Sequence, residues 1–118
     1  MKKNEFSISI SVDGPVCIAE ISGNIGHGFE DQFMPLITGK LDEDFRNFVF
    51  DLQKVEVIES PAVACLLSSS EKIVDDYQGH LVFTGLSTMH AKILEMVGVF
   101  LYANACESKV QAISECKA

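Results

Sequence analysis

The sequence predicts an α/β domain in which a mixed sheet of about five strands carries about four α-helices. Three observations point to it. Phe48 to Leu52 is a short, uninterrupted apolar run bounded by turn formers, the mark of a strand covered on both faces. From Ser60 onward the apolar period changes from that of a strand to that of a helix. Val63, Leu66, Leu67, Ser70, Val74 and Tyr77 share one side, while Ser68, Ser69, Glu71, Lys72, Asp75 and Asp76 fall mostly on the other. The strand-then-helix alternation recurs along the chain, so successive strands pair in parallel, whereas the opening segment carries the signature of an antiparallel hairpin.

Each element has a local reason. Phe6, Ile8, Ile10 and Val12 alternate with Ser7, Ser9 and Ser11, a half-buried strand. Asp13-Gly14 then turns the chain into a second strand over Val16 to Ile21. Ser22 to Gly28 holds three glycines and reads as a loop. It lacks the Gly-Lys-Ser/Thr of a phosphate-binding loop. Phe29, Phe33, Leu36, Ile37 and Leu41 follow at helical spacing, with Gly39 near the expected end and Pro35 either in the first turn or at a kink. Asp42-Glu43-Asp44 is a solvated connection to the Phe48 strand, which should be central, with the Ser60 helix covering one of its faces. Gly79 closes that helix and Leu81 to Thr84 forms the next strand. Ser87 caps a helix with Met89, Ile93, Met96 and Val97 on its buried side and Gly98 at its end. Val99 to Tyr102 folds back onto the core, Ala103 to Cys106 is a weak edge strand, and a last helix starts near Ser108 with Val110 and Ile113 inward. Asn104 with Glu107 is a rival capping pair.

Length and composition narrow the function. The chain has 118 residues, enough for one domain over 1–118 with its own core. Nine Lys and Arg against seventeen Asp and Glu give a net charge of -8, which disfavours nucleic acid and anionic membranes as partners. Met1 to Ser11 has no continuous apolar core, so no signal peptide is expected, and no run approaches the roughly 20 apolar residues of a membrane span. Cys17, Cys65, Cys106 and Cys116 lack the short paired spacings of a zinc site or redox pair. They read as reduced thiols of a cytoplasmic protein, Cys17 and Cys65 as small core residues. His27, His80 and His90 stand apart from one another, so no metal is expected.

The junction between the Phe48 strand and the following helix is the candidate site. Ser60 precedes Pro61, and a residue before proline is pushed toward the extended backbone that a helix cap needs. Pro61 then suits the first helical position, where its missing N–H costs nothing. These preferences predict a surface hydroxyl at the positive end of a helix dipole, where an anion is tolerated.

The same residues carry a family resemblance. An apolar strand ending in Asp51-Leu52, the stretch Val55 to Ile58, acidic Glu59 and then Ser60 at a helix start resemble the STAS domain, and in particular bacterial anti-sigma factor antagonists. Those proteins show Asp-Ser-Ser-Gly here, with the first serine phosphorylated by a partner kinase; this chain has Glu59-Ser60-Pro61-Ala62. Gly79 to Ser87 and Leu94 to Gly98 are similar to the family's later strand and helix. The resemblance implies Ser60 as phosphoacceptor and Glu59, Ser60, Pro61 and Ala62 as partner-binding residues. It adds Asn24 and Gly26 from the glycine-rich loop, with Gly26 standing where the family has an acidic residue.

The resemblance further implies a non-enzymatic switch without a cofactor of its own. Unphosphorylated, the protein would bind an ATP-binding serine kinase that acts as an anti-sigma factor and so release a sigma factor; phosphorylated on Ser60 it would let go, and a phosphatase would reset it. A different class, a nucleophilic serine, needs a base within reach, and Ser60 lacks the Gly-x-Ser-x-Gly turn that would aim it. A third reading is a STAS-type adaptor or regulatory subunit of a transporter or lipid-trafficking complex.

Overall fold

The computed structural model describes residues 5–117; residues 1–4 and 118, which the expected domain span includes, lie outside it. The chain forms β1 (Phe6–Asp13), β2 (Val16–Ile25), α1 (Phe29–Asp42), β3 (Asn47–Ile58) and α2 (Ser60–Glu71), which continues into a π-helical turn at Lys72–Asp76. Then come β4 (His80–Thr84), α3 (Thr88–Met96), a 3₁₀ turn at Val99–Leu101, β5 (Asn104–Cys106) and α4 (Lys109–Lys117). The strands make one five-stranded sheet in the order β1-β2-β3-β4-β5, with β1 antiparallel to β2 and the other pairs parallel. This is the expected mixed α/β sheet, with β3 at its centre.

The two-residue period of the inner strands divides the interior into two layers. Cys17, Ala19, Ile21, Phe48, Phe50, Leu52, Leu81 and Phe83 face α1 and α2, where Phe29, Phe33, Ile37, Leu41, Ala62, Cys65 and Leu66 are buried against them. Their neighbours Val16, Ile18, Val49 and Val82 face the other way, onto Ala112 and Cys116 of α4. This double coverage is why β3 reads as a continuous apolar run. Phe33, Phe50 and Phe83 meet edge to face at 5.1 and 5.4 Å between centroids, so the aromatic row crosses from α1 over β3 to β4.

Glycine is required where backbones approach closely. A Cβ on Gly79 would stand 2.5 Å from the carbonyl oxygen of Arg46, because the chain entering β4 passes against the start of β3. Gly79 thus serves proximity, and the positive φ that ends the preceding helix falls on Gln78, at 56°.

Several expectations need correcting. β2 runs on to Ile25 and β3 on to Ile58, so Ser22, Asn24 and Ile25 lie in a strand where a loop was expected. Irregular pairing absorbs the extension, with register shifts between Glu20 and Ser22 and between Gly23 and Asn24. α1 ends at Asp42, with Gly39 inside it, and Pro35 sits mid-helix on the exposed side, where the Asp31 carbonyl that loses its partner is also near solvent. Leu36 is 40% exposed because Phe29, Phe33, Ile37 and Leu41 already fill the inward stripe.

The faces of three later helices are rotated from those expected. In α2, Ala62, Cys65, Leu66, Ser69 and Ser70 are buried. Ser69 is tolerated there because its hydroxyl donates to the carbonyl of Cys65 at 2.6 Å. In α3 the inward residues are His90 and Leu94, leaving Met89, Met96 and Val97 exposed. In α4 they are Ala112 and Cys116, leaving Val110 at 79% exposure while Ile113 packs at the margin. Ser108 accepts from the backbone N–H of Gln111 at 3.1 Å and so starts α4; Asn104 instead donates its side-chain amide to Glu115.

Candidate functional site

The end of β3 and the start of α2 are held by one hydrogen bond from the neighbouring strand. The backbone N–H of Glu59 donates to the carbonyl of Ile25 at 2.8 Å, and Ile25 lies opposite Ile58 in the sheet. Glu59 is thereby kept extended, at φ -92° and ψ 164°, and is the last residue before the helix. Its carbonyl accepts from the N–H groups of Ala62 and Val63 at 2.9 and 3.1 Å, which makes the first turn.

Ser60 is therefore inside the helix, and the cap position falls on Glu59, whose side chain makes no capping bond. The expectation that Ser60 caps α2 is corrected on this point. The helix begins one residue earlier than the local preferences of Ser60 and Pro61 would start it, because the Glu59 carbonyl already takes the N–H groups of Ala62 and Val63. The consequence is a released hydroxyl: Ser60 is exposed and, among the described residues, its side chain has no hydrogen-bond partner.

The residues singled out from the sequence do converge. Asn24 lies opposite Val57 at the end of β2, and Gly26 follows directly in the turn that leads to α1. Exposure separates them. Ser60 and Pro61 are exposed, Glu59 and Asn24 are half-buried, and Gly26 and Ala62 are buried. The methyl of Ala62 faces the core and cannot touch a partner. Gly26 acts through its backbone, accepting from the N–H of Phe29 at 3.2 Å.

A feature the sequence reading missed adjoins Ser60. A groove of about 370 Å³ between α2 and α3 is lined by Ser60, Val63, Ala64, Leu67, Ile93 and Val97. Ser60 is its polar residue, at one end of an otherwise apolar wall. α3 also exposes Met89 at 62% and Met96 at 81%, and Val57 on the strand before the site is 47% exposed. The sequence held a signal for this: Met89, Ile93, Leu94, Met96 and Val97 are spread too widely around a helix for one inward stripe.

The site offers little to chemistry. Among the described residues no histidine hydrogen-bonds to Ser60, and no group of His, Cys, Asp and Glu is arranged to hold a metal. Burial pushes the thiols of Cys17, Cys65 and Cys116 up to about 11. A hydrogen bond to Glu115 is the main cause of the same rise at Cys106. At neutral pH these four are thiols rather than nucleophilic thiolates. Among the described residues no helix is long and apolar enough to cross a membrane.

A phosphate on Ser60 would stand at the positive end of α2. Pro61 has no donor to offer, and the N–H groups of Ala62 and Val63 are already bonded to Glu59. A phosphoryl group there would stand at an exposed position, one residue after the half-buried Glu59.

Comparison with known proteins agrees with this architecture. The family model described as the STAS domain matches residues 7–112. The chain is similar in structure to an anti-sigma factor antagonist from Mycobacterium paratuberculosis, with 14% identity, a TM-score of 0.84, and coverage of 98% of this chain and 97% of that one. It is also similar to the anti-sigma factor antagonist SpoIIAA in its unphosphorylated form, with 14% identity, a TM-score of 0.74, and coverage of 97% and 99%. The phosphorylated form of SpoIIAA, a Bacillus cell fate determinant, matches with 13% identity, a TM-score of 0.74, and coverage of 92% and 98%. At these identities the likeness is one of fold. No curated protein matches by sequence.

Proposed function

The chain belongs to the STAS domain family, and from that premise we propose that it is an anti-sigma factor antagonist working as a phosphorylation-controlled partner switch. Unphosphorylated, it binds an ATP-binding serine kinase that serves as the anti-sigma factor. Phosphorylated on Ser60, it is released, and a phosphatase restores the hydroxyl. ATP and its chemistry belong to the kinase; this chain contributes the acceptor and the surface around it, in the cytoplasm.

The observation that carries the reading is the placement of Ser60. Among the described residues its hydroxyl bonds to none, it is exposed, and it stands at one end of an apolar groove. A kinase can reach such a group without unfolding the helix. A partner seated over Val63, Ala64 and Leu67 would cover Ser60, so a phosphate of about -1.5 to -2 charge would be trapped at the interface beside Glu59. Two solved structures of one antagonist, with and without phosphate, support a switch made on an intact fold.

The test is to incubate the purified chain with the candidate kinase and ATP, locate the phosphate by mass spectrometry, and measure the affinity of both forms for the kinase. Phosphate on Ser60 together with weaker binding of the modified form is the expected result. Phosphate elsewhere, or equal affinities, would remove Ser60 from the mechanism. The groove would then serve a STAS-type adaptor with a different partner.

A further inference from the structure

The free edge of β1 is built to pair with another strand, and we propose that its occupant is the β1 of a second copy of this chain, joining the two sheets into one. The backbone geometry identifies the open groups. The N–H of Asn24 donates to the carbonyl of Glu5 at 2.9 Å, and the register continues Phe6 to Gly23, Ser7 to Ser22 and on to Asp13 with Val16. In an antiparallel ladder hydrogen-bonded pairs alternate, so Ser7, Ser9 and Ser11 bond inward to β2. Phe6, Ile8, Ile10 and Val12 therefore turn their N–H and C=O groups outward, along a strand of 8 residues without a bulge.

The sequence of β1 lacks what ordinarily protects such an edge. From Phe6 to Val12 there is no lysine, no proline and no charge of either sign. The opposite edge is treated differently, since β5 is only 3 residues long. The side chains also leave work for a partner. Phe6, Ile8 and Ile10 pack against the core but remain half-exposed, and Val12 is 47% exposed.

A second copy fits this edge better than an unrelated strand because the edge is self-complementary. About a two-fold axis normal to the sheet and passing through Ser9, serines meet serines on one face. On the other face Ile8 of each copy meets Ile10 of its mate, and Phe6 meets Val12. A chain of net charge -8 would normally repel its own copy. Here the contact is uncharged from Phe6 to Val12; at each end the register sets Glu5 of one copy opposite Asp13 of its mate, and Lys117, 2.7 Å from Asp13, offsets that carboxylate. Antiparallel joining places both Ser60 helices on the same face of the continuous sheet and away from the seam. The dimer would thus present its switch sites as a pair, and it stands whether or not Ser60 is phosphorylated.

The experiment is sedimentation equilibrium of the full chain from low micromolar to near-millimolar concentration, alongside two edge variants. The parent should move from monomer to dimer mass. Ile10→Lys should remain monomeric over the same range. Val12→Pro provides the second reading because Val12 is outside the core and its outward N–H serves no internal bond; it too should remain monomeric, with unchanged circular dichroism. Ser9→Cys should form an intermolecular disulfide under mild oxidation much faster than the parent or Ser11→Cys. A parent that stays monomeric throughout overturns the proposal. So does a dimer that survives Val12→Pro while Ser9→Cys fails to cross-link, since it must use another surface.

Discussion

Ser60 and Ser87 both stand where a strand-derived segment enters a helix, and both look like helix caps by local preference. The structure separates them. Ser87 is extended, at φ -68° and ψ 161°, and its hydroxyl accepts from the N–H of His90 at 3.1 Å. Ser60 lies one residue inside α2, with its hydroxyl exposed. The difference originates outside the helices. β4 ends at Thr84, and Gly85 and Leu86 intervene before Ser87, which is left to take the cap geometry. β3 instead stays in the sheet to Ile58, and the bond from Glu59 to Ile25 fixes Glu59 as the last extended residue, whose carbonyl takes the first helical N–H groups, so the helix begins at Ser60. A serine excused from capping presents a hydroxyl whose modification breaks no helix-end bond, whereas a serine engaged in capping must give up or replace its bond to be modified.

The largest effect expected from this contrast is on binding. Under the proposed switch, phosphate or Ser60→Asp adds an anion beside Glu59 at the partner surface. Like-charge repulsion and desolvation of roughly 3 to 4 kcal/mol would weaken the complex a few hundredfold for the phosphorylated form. Ser60→Asp, with a single charge, should fall between the two forms. Ser87→Asp keeps a capping oxygen and should bind the partner as the parent does. Calorimetric titration of the kinase with the parent, phosphorylated and both Asp forms checks the order; a comparable loss at Ser87 would break the contrast.

A smaller effect separates the groove from the core. Val97 is 41% exposed at the groove wall, so Val97→Glu should leave stability within about 0.5 kcal/mol while lowering partner affinity by about tenfold or more. Phe50→Ala would instead lose about 3 to 5 kcal/mol of folding stability by opening a cavity between α1 and the sheet. Urea unfolding together with a pull-down on both variants distinguishes them. A Val97 variant that loses stability like Phe50→Ala would place the groove in the core rather than on the surface.

Much of the fold was legible because several preferences agreed at the same residues. The apolar run of β3, the Asp13-Gly14 turn and the alternation of β1 each specify one period and one end, and the element order follows from them. Helix faces were harder to read. α3 has more apolar residues than its inward stripe can hold, so periodicity alone could not tell Leu94, which is buried, from Met96, which is 81% exposed. The extensions of β2 to Ile25 and β3 to Ile58 arise from pairing between strands distant in sequence, with irregular register, and no local signal encodes that. The cap falls at Glu59, where the bond to Ile25 ends the extended backbone and the first helical bonds begin, rather than at Ser60. At the candidate site the sheet, not the local sequence, determined which atoms are free.

The smallest expected effect tests the cap assignment most directly. Ser87→Ala removes the acceptor for the His90 N–H and should cost about 1 kcal/mol, as the loss of a capping side chain ordinarily does. Ser60→Ala removes a hydroxyl that bonds to none of the described residues, at an exposed helical position where alanine is the better helix former; its stability should stay within about 0.5 kcal/mol of the parent and tend upward. If Ser60 were the true cap, the two substitutions would cost alike. Urea denaturation of the two alanine variants under identical conditions resolves a difference of this size when the m-values agree. Equal destabilisation would show that the helix starts at Pro61 in solution, with Ser60 bonded to its first turn. A kinase would then have to break that bond before it could use the hydroxyl.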